Sequence, residues 1–345
     1  MSLKRPPVLL PRVLICLILA VSVRGCSDRP RVVEISGPTM GTFYSVKMVS
    51  PPAGLSDSAI RKDIEAVLHQ VVALISTYEA SSQLSRLNQD SSTEWLSIPS
   101  ALLAVIEEGQ RVSTLTEGAF DITVGPLVNL WGFGPELRGG QIPSGQAIAA
   151  ALTRVGYQKL HLRDRPPSIR KDRGDVYIDL SGLGEGYGAD RIADYLDSQG
   201  VVNYMAAIAG AIRVKGRNVR GEPWAIAIEE PIPGQRSVRR VIRVSDGGLS
   251  TSGDYRNFFE KDGRRFSHEI DPRTGWPTEH RLGSVTVVSD TAMRADALAT
   301  ALLVMGEDKG PALAEAQGLA AYFIIREATG LSDLSTTRFR PYLEP

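Results

Sequence analysis

The chain is predicted to fold as an α+β protein with mainly antiparallel, mixed sheets and grouped helices. Strand-like runs crowd the second half instead of alternating one by one with helices, as a parallel sheet would require. Asp262-Gly263 lies between two extended runs, a strong hairpin signal. No internal repeat and no long linker divides the chain, so residues 39–345 are expected to form one domain.

The first segment differs from the rest. Lys4, Arg5 and Arg12 precede an apolar run from Val13 to Val23, about eleven residues and too short for a helix to span a bilayer of roughly 30 Å. Residues 1–25 therefore read as a signal peptide. Its end, Val23-Arg-Gly-Cys26, resembles a lipoprotein box, although Arg24 stands where such boxes prefer a small or apolar residue. Lipidation of Cys26 would anchor an exported protein on the periplasmic side of a membrane; the sequence does not say which membrane. Cys16 leaves with the signal, and Cys26 is then the only thiol, so no internal disulfide is expected.

Composition narrows the classes further. The chain carries 39 basic and 39 acidic residues, and loss of the signal removes four bases and no acid. A mildly acidic mature chain without a basic tract is a poor fit to nucleic acid. A 43% hydrophobic content over 345 residues is enough for a full core.

Residues 26–38 read as a tether, followed by a first strand, Gly41 to Met48, in which Phe43 and Tyr44 favour extended backbone. Ser56-Asp57 can cap a helix whose apolar residues, from Ile60 to Ile75, recur at three- and four-residue steps and which is expected to end near Tyr78. A polar segment around Gln83 to Asn88 precedes a second helix after Pro99-Ser100. The run Glu117 to Phe133 is too rich in glycine and aromatics for one regular element; such loops let backbone approach a ligand. A third helix is expected from Ser144 to about Val155, then a short strand near 159–162.

Val176 to Leu180 reads as a strand, Ser181 to Gly188 as a glycine-rich turn, and the following residues to Gly200 as a helix. Strand, glycine turn and helix are the parts of a phosphate-binding loop. The glycines alternate instead of following G-x-G-x-x-G, so a Rossmann site is not indicated. Strands are expected at 203–209, 224–229, 240–244, 284–289 and 320–326, with a hairpin over 255–270 and helices around Asp296 and from Pro311.

Two runs carry chemistry. In Ala295-Asp-Ala-Leu-Ala-Thr300, a carboxylate and a hydroxyl four residues apart share one helix face, and hard oxygens suit Mg²⁺ or Ca²⁺ better than zinc. In Ser267-His-Glu-Ile-Asp-Pro-Arg-Thr-Gly275, a histidine leaves a strand for a tight Asp-Pro turn, where a general base could be held. Taken singly, neither decides the function, because such residues more often form a solvated edge or a structural histidine.

Five runs together resemble the FAD:protein FMN transferases, the ApbE flavin transferase family: Met40-Gly-Thr-x-Tyr44, Gly118 to Gly134, Asp179-Leu-Ser-x-x-Gly-Glu-Gly-Tyr187, Thr251 to Arg256 with His268 to Gly275, and Ala295 to Thr300. The resemblance implies an ApbE-like, T-fold-like architecture with an FAD cleft between two lobes. It implies flavin contacts at Met40, Tyr78, the Ala119-Phe120-Asp121 backbone, Asp179, Glu185 and Ile270. It implies Mg²⁺ on Asp296, Thr300 and main-chain oxygens of Gly182 and Ala299, with His268 as base. Glu185 stands where a lysine is common in the family, and Ala211 where many members have an acid; a subset shares both features.

The implied reaction moves FMN from FAD to a threonine or serine of an acceptor protein through a phosphoester and releases AMP. The expected acceptors carry a short Asp-Gly-x-Thr-like motif and belong to membrane redox complexes. Two rivals share the site: a periplasmic FAD pyrophosphatase, and a lipoprotein that holds FAD intact.

Overall fold

Strand β1 (Val32–Thr39) runs through most of the segment expected to be a tether. The structure, a computed structural model, describes residues 30–135 and 141–343. The predicted signal peptide and lipid-bearing Cys26 lie outside the described residues, whereas Arg31 onward belongs to one compact unit. β1 alternates outward and inward side chains, with Val33 and Ile35 buried, and pairs antiparallel with β2 (Thr42–Val49). The alternation of Val33 and Ile35 with polar neighbours is the period-two signal that reading 26–38 as a tether passed over.

Helix α1 (Asp57–Ile75) begins where Ser56 accepts the Ala59 N–H at 3.2 Å and buries Ile60, Ile64, Leu68, Val71 and Ile75. Each such side chain contributes roughly 1.5–3 kcal/mol when fully buried. The helix stops three residues short of Tyr78, because Ser76 turns to extended backbone. The segment expected to be merely polar folds as α2 (Gln83–Gln89), capped by Ser82. There follow β3 (Leu96–Ser97), α3 (Ser100–Leu115), α4 (Gly125–Leu130) within the glycine-aromatic run, α5 (Gly145–Leu152), β4 (Leu160–Asp164) and β5 (Pro167–Lys171).

Val176 to Leu180 is not a strand. Its Ile178 is clamped on both backbone groups by the Asn88 amide, at 2.8 Å each, which supplies the pairing a strand neighbour would give. The expected glycine turn is not a turn either: Ser181 to Gly188 forms the first two turns of α6 (Ser181–Ser198). Glycine inside a helix costs about 0.5–1 kcal/mol relative to alanine, so its presence needs a packing reason. The reason is contact with the next long helix: a Cβ on Gly186 would lie 2.3 Å from the Ala292 carbonyl oxygen.

The second half supplies β6 (Tyr204–Ile208), β7 (Ala211–Lys215), β8 (Trp224–Glu229), β9 (Val238–Val244), β10 (Gly247–Gly253), β11 (Phe258–Lys261), β12 (Arg264–Ser267) and β13 (Leu282–Ser289). Helix α7 (Ala292–Ala316) joins the Asp296 helix to the one expected from Pro311 across a break at Gly306, whose φ is 77°. β14 (Ala320–Glu327) and β15 (Gly330–Ser335) close the sheet.

The main sheet has the order β1-β2-β6-β7-β10-β13-β14-β15 and every neighbour is antiparallel. Helices α1, α6 and α7 cover one face. Along β13, Val285 and Val287 point to that side and Val288 to the other, where the β8–β9 hairpin brings Trp224, Ile226 and Ile228. A strand sandwiched in this way is buried along nearly its whole length, Ser284 and Thr286 included, which is why it lacks the outward polar alternation of a half-exposed strand. A separate aromatic block, with Trp131, Phe266 and Ile270, packs α4 and α5 beside the β11–β12 hairpin.

Candidate active site

The amino ends of α6 and α7 cross beside β10, and their closeness builds the centre of the site. On β10, Ser250 and Ser252 point to one face about 6.6 Å apart at ordinary strand rise. On α7, Asp296 and Thr300 are spaced by about 6 Å at helical rise. The two spacings match, so the residues meet in register: Ser250 Oγ donates to Asp296 Oδ1 at 2.8 Å, and Ser252 Oγ and Thr300 Oγ1 share a hydrogen bond of 3.1 Å. The other carboxylate oxygen, Oδ2, accepts the Gly186 N–H at 3.0 Å.

Asp296 is only 7% exposed. Burial, reinforced by the nearby Glu185 and Glu269 carboxylates, pushes its pKa up to about 8 despite the hydrogen bonds from Gly186 and Ser250. Burial also raises Glu185 and Glu269. Three carboxyl groups held away from water in one place are costly unless protonated or met by a cation. Among the described residues no three His, Cys, Asp or Glu side chains form a ready chelate. A cation at Asp296 would therefore be completed by hydroxyl and main-chain oxygens, a hard donor set that fits Mg²⁺.

These groups open into a cleft of about 1140 Å³. Ligand pockets for drug-sized molecules run to about 1,000 Å³, so the space suits something as large as a dinucleotide. Met40, Tyr78, Ala119, Phe120, Asp121, Asp179, Gly182, Glu185, His268, Ile270, Asp296 and Thr300 all line it. Ala299 does not; it is fully buried.

Each lining residue has a local reason for its position. Met40 occupies the two-residue turn between β1 and β2 with φ 48°, a left-handed conformation unusual for a side chain of its size. Tyr78, 65% exposed, donates from its hydroxyl to the Phe133 carbonyl at 3.2 Å, and burial of that hydroxyl with Asp179 nearby raises its pKa. The Asp121 carboxylate faces its own loop: Oδ1 takes the Thr123 N–H and hydroxyl at 2.7 and 2.6 Å, and Oδ2 the Tyr157 N–H at 2.8 Å. Its side chain thus shapes the loop and leaves the backbone of 119–121 to face the cleft. Asp179 caps the start of α6, accepting the Ser181 N–H at 2.9 Å. A Cβ at Gly182 would sit 2.8 Å from the Phe120 ring, so only glycine lets that ring approach α6.

His268 follows β12 directly. Its ring meets Phe133 edge-on at 6.3 Å, the last member of a ladder running through Phe259 and Phe266 to Trp131, which is itself anchored by an Nε1–H bond of 2.8 Å to the Gly275 carbonyl. Nδ1 lies 3.0 Å from the Asn257 carbonyl, which can only accept, so Nδ1 carries the hydrogen and Nε2 keeps its lone pair. Nε2 lies 3.4 Å from Glu269 Oε1.

Reading the sequence missed Ser250, Ser252, Glu269 and Arg256. The first two had a signal: serines two apart in a glycine-bounded strand, a period that turns both to one face. Glu269 and Arg256 fall inside the runs that carry the family resemblance, but no local pattern gives either a place in the cleft; the fold does.

Fold and site together define an enzyme-like α+β protein with a dinucleotide-sized cleft, a buried carboxylate met by serine and threonine hydroxyls, and an adjoining histidine. A family model described as ApbE family matches residues 40–323. The chain is 45% identical over 331 residues to a Vibrio cholerae protein named FAD:protein FMN transferase, covering 96% of this chain and 98% of that one. It is 42% identical to the Haemophilus influenzae protein of the same name, covering 96% and 97%. The solved flavin transferase ApbE from Vibrio cholerae superposes with a TM-score of 0.85 at 44% identity, over 91% of this chain and all of that one. The chain belongs to the ApbE family.

Proposed function

We propose that this protein transfers FMN from FAD to a hydroxyl of an acceptor protein, forming a phosphoester and releasing AMP. The observation that carries the reading is the Asp296 carboxylate, buried beside Glu185 and Glu269 in a dinucleotide-sized cleft. The relatives named FAD:protein FMN transferase support it at full length.

Asp296 and Thr300, with main-chain oxygens of Gly182 and Ala299, would hold Mg²⁺. When bound, the ion supplies charge neutralisation and polarisation of the diphosphate, typically several kcal/mol of transition-state stabilisation. The chain's own residues do the rest. The backbone of 119–121, with Met40, Tyr78 and Ile270, orients the flavin part. The acceptor hydroxyl gives its proton to His268 Nε2 as its oxygen bonds to the phosphorus nearer riboflavin, and the bond from that phosphorus to the AMP oxygen breaks. His268 is partly exposed, so a protein substrate can reach it, while Asn257 keeps the ring oriented. Glu269 is placed to accept a hydrogen bond from the imidazolium so formed.

The acceptor is a protein bearing a short Asp-Gly-x-Thr-like motif, as in subunits of membrane redox complexes, and lipid on Cys26 holds the enzyme on the periplasmic side of a membrane. Incubation with FAD, Mg²⁺ and such an acceptor, followed by intact mass, tests the reaction. Addition of FMN to the acceptor is expected. Release of free FMN alone would establish hydrolysis instead, and intact FAD after long incubation would establish a carrier. Fractionation of cells expressing Cys26→Ser tests the anchor, since the variant is expected in the soluble fraction.

A further inference from the structure

The cleft is rich in acids, among them Glu185, Glu229, Glu269 and Asp296, yet Arg256 is the only lysine or arginine along its described lining. A diphosphate entering it is negatively charged and meets carboxylates on several sides. A cation at Asp296 answers that repulsion on one flank only.

Arg256 lies in the turn that leaves β10 for β11, where its side chain is exposed. Its Nη2 donates to Glu229 Oε2 at 2.6 Å, and the guanidinium lies 5.5 Å from the Tyr255 ring centroid. Burial raises the pKa of Glu185 and the nearby Arg256 charge opposes it, while Glu185 in turn helps raise Asp296; all three line the cleft. Arg256 and the metal-ligand pair therefore border the same buried acid. Other arginines of this region are committed elsewhere: Arg264 pairs with Glu279, Arg265 with Glu260, Arg273 forks onto Asp271 and Arg326 onto Asp254.

We propose that Arg256 binds a phosphate of the FAD diphosphate, exchanging its ion pair with Glu229 for the substrate. This rests on the transferase reading for the identity of the ligand. The exchange is favourable because a guanidinium–carboxylate pair still partly open to solvent contributes little, whereas a guanidinium can fork onto two phosphate oxygens in a charge-assisted contact. Glu229 holds the arginine at the cleft wall until the phosphate arrives, which keeps the side chain from wandering into solvent. Lysine would supply the charge without the fork.

The test is flavin binding to the protein stripped of divalent cations, followed by quenching of flavin fluorescence, with FAD and riboflavin as paired probes. Arg256→Gln is expected to weaken FAD about 10- to 100-fold and leave riboflavin unchanged, the range for losing a charged hydrogen bond. Arg256→Lys should fall between. Glu229→Gln, which frees the guanidinium, should tighten FAD and again spare riboflavin. Equal losses for the two probes in Arg256→Gln, or no loss for either, overturn the proposal, as does weaker FAD binding in Glu229→Gln. The transferase reading fails separately, if wild-type protein discriminates FAD from riboflavin through Arg256 yet puts no FMN on an acceptor.

Discussion

Replacing Asp296 by asparagine removes a buried charge while keeping its shape, and the structure says what should follow. The Asn oxygen can accept the Gly186 N–H and its amide can donate to Ser250 Oγ, since the serine hydroxyl turns to accept. No polar group is orphaned. In the metal-free wild type the folded protein holds the Asp296 proton up to about pH 8, whereas the unfolded chain releases it near the ordinary aspartate value of about 4. Between those values the folded state binds more protons, so stability falls as pH rises through that window. Each pKa unit corresponds to about 1.4 kcal/mol, which sets a ceiling of roughly 5 kcal/mol. Coupling to Glu185 and water entering the cleft reduce this, and about 1–3 kcal/mol is expected at pH 8.5. For a domain of this size that is roughly 2–4 °C in Tm.

Thermal melts in EDTA should therefore show Asp296→Asn more stable than wild type at pH 8.5 and nearly equal at pH 5. Adding Mg²⁺ should reverse the order by stabilising wild type alone. A metal-free variant less stable than wild type at pH 8.5, or one that gains as much from Mg²⁺, would refute the reasoning.

Three further outcomes follow from the same geometry. His268→Gln should cut FMN transfer about 10²- to 10⁴-fold while FAD affinity holds, as checked by single-turnover kinetics and flavin binding; weaker binding with unchanged chemistry would make the histidine a positioning group. Gly186→Ala should destabilise by about 1–3 kcal/mol in urea melts, since the new methyl group would lie 2.3 Å from the Ala292 oxygen. Trp131→Phe should cost about 1–2 kcal/mol through the lost bond to Gly275 and slow transfer as the aromatic ladder loosens around His268, with FAD affinity spared.

The α+β class, the antiparallel second half, α1 with its Ser56 cap and the Asp262-Gly263 hairpin were legible because each rests on local periodicity or turn chemistry. The glycines of α6 were not. Four glycines at alternate positions look like a loop to any local rule, and only the packed fold accounts for them: Gly182 and Gly186 meet Phe120 and α7, whereas Gly184 and Gly188, on the opposite side, meet Ile75 and Ile208. The strand at 32–39 was missed for the converse reason, its pattern being present but short.

The same division holds in the site. Local spacing put Asp296 and Thr300 on one helix face and His268 at a strand end, and motif likeness supplied the family and the positions expected to contact flavin. Residues 40, 78, 119–121, 179, 185, 268, 270 and 296 come from six separate stretches of chain, and no local pattern could bring them to one cleft. Tertiary structure decided that, and with it the register of Ser250 and Ser252 on Asp296 and Thr300, the Glu269 carboxylate at His268 and the solitary guanidinium of Arg256. The physical reason is that helix and strand propensities act over a few residues, whereas the charge burden of a buried carboxylate depends on whatever neighbours the packed core delivers.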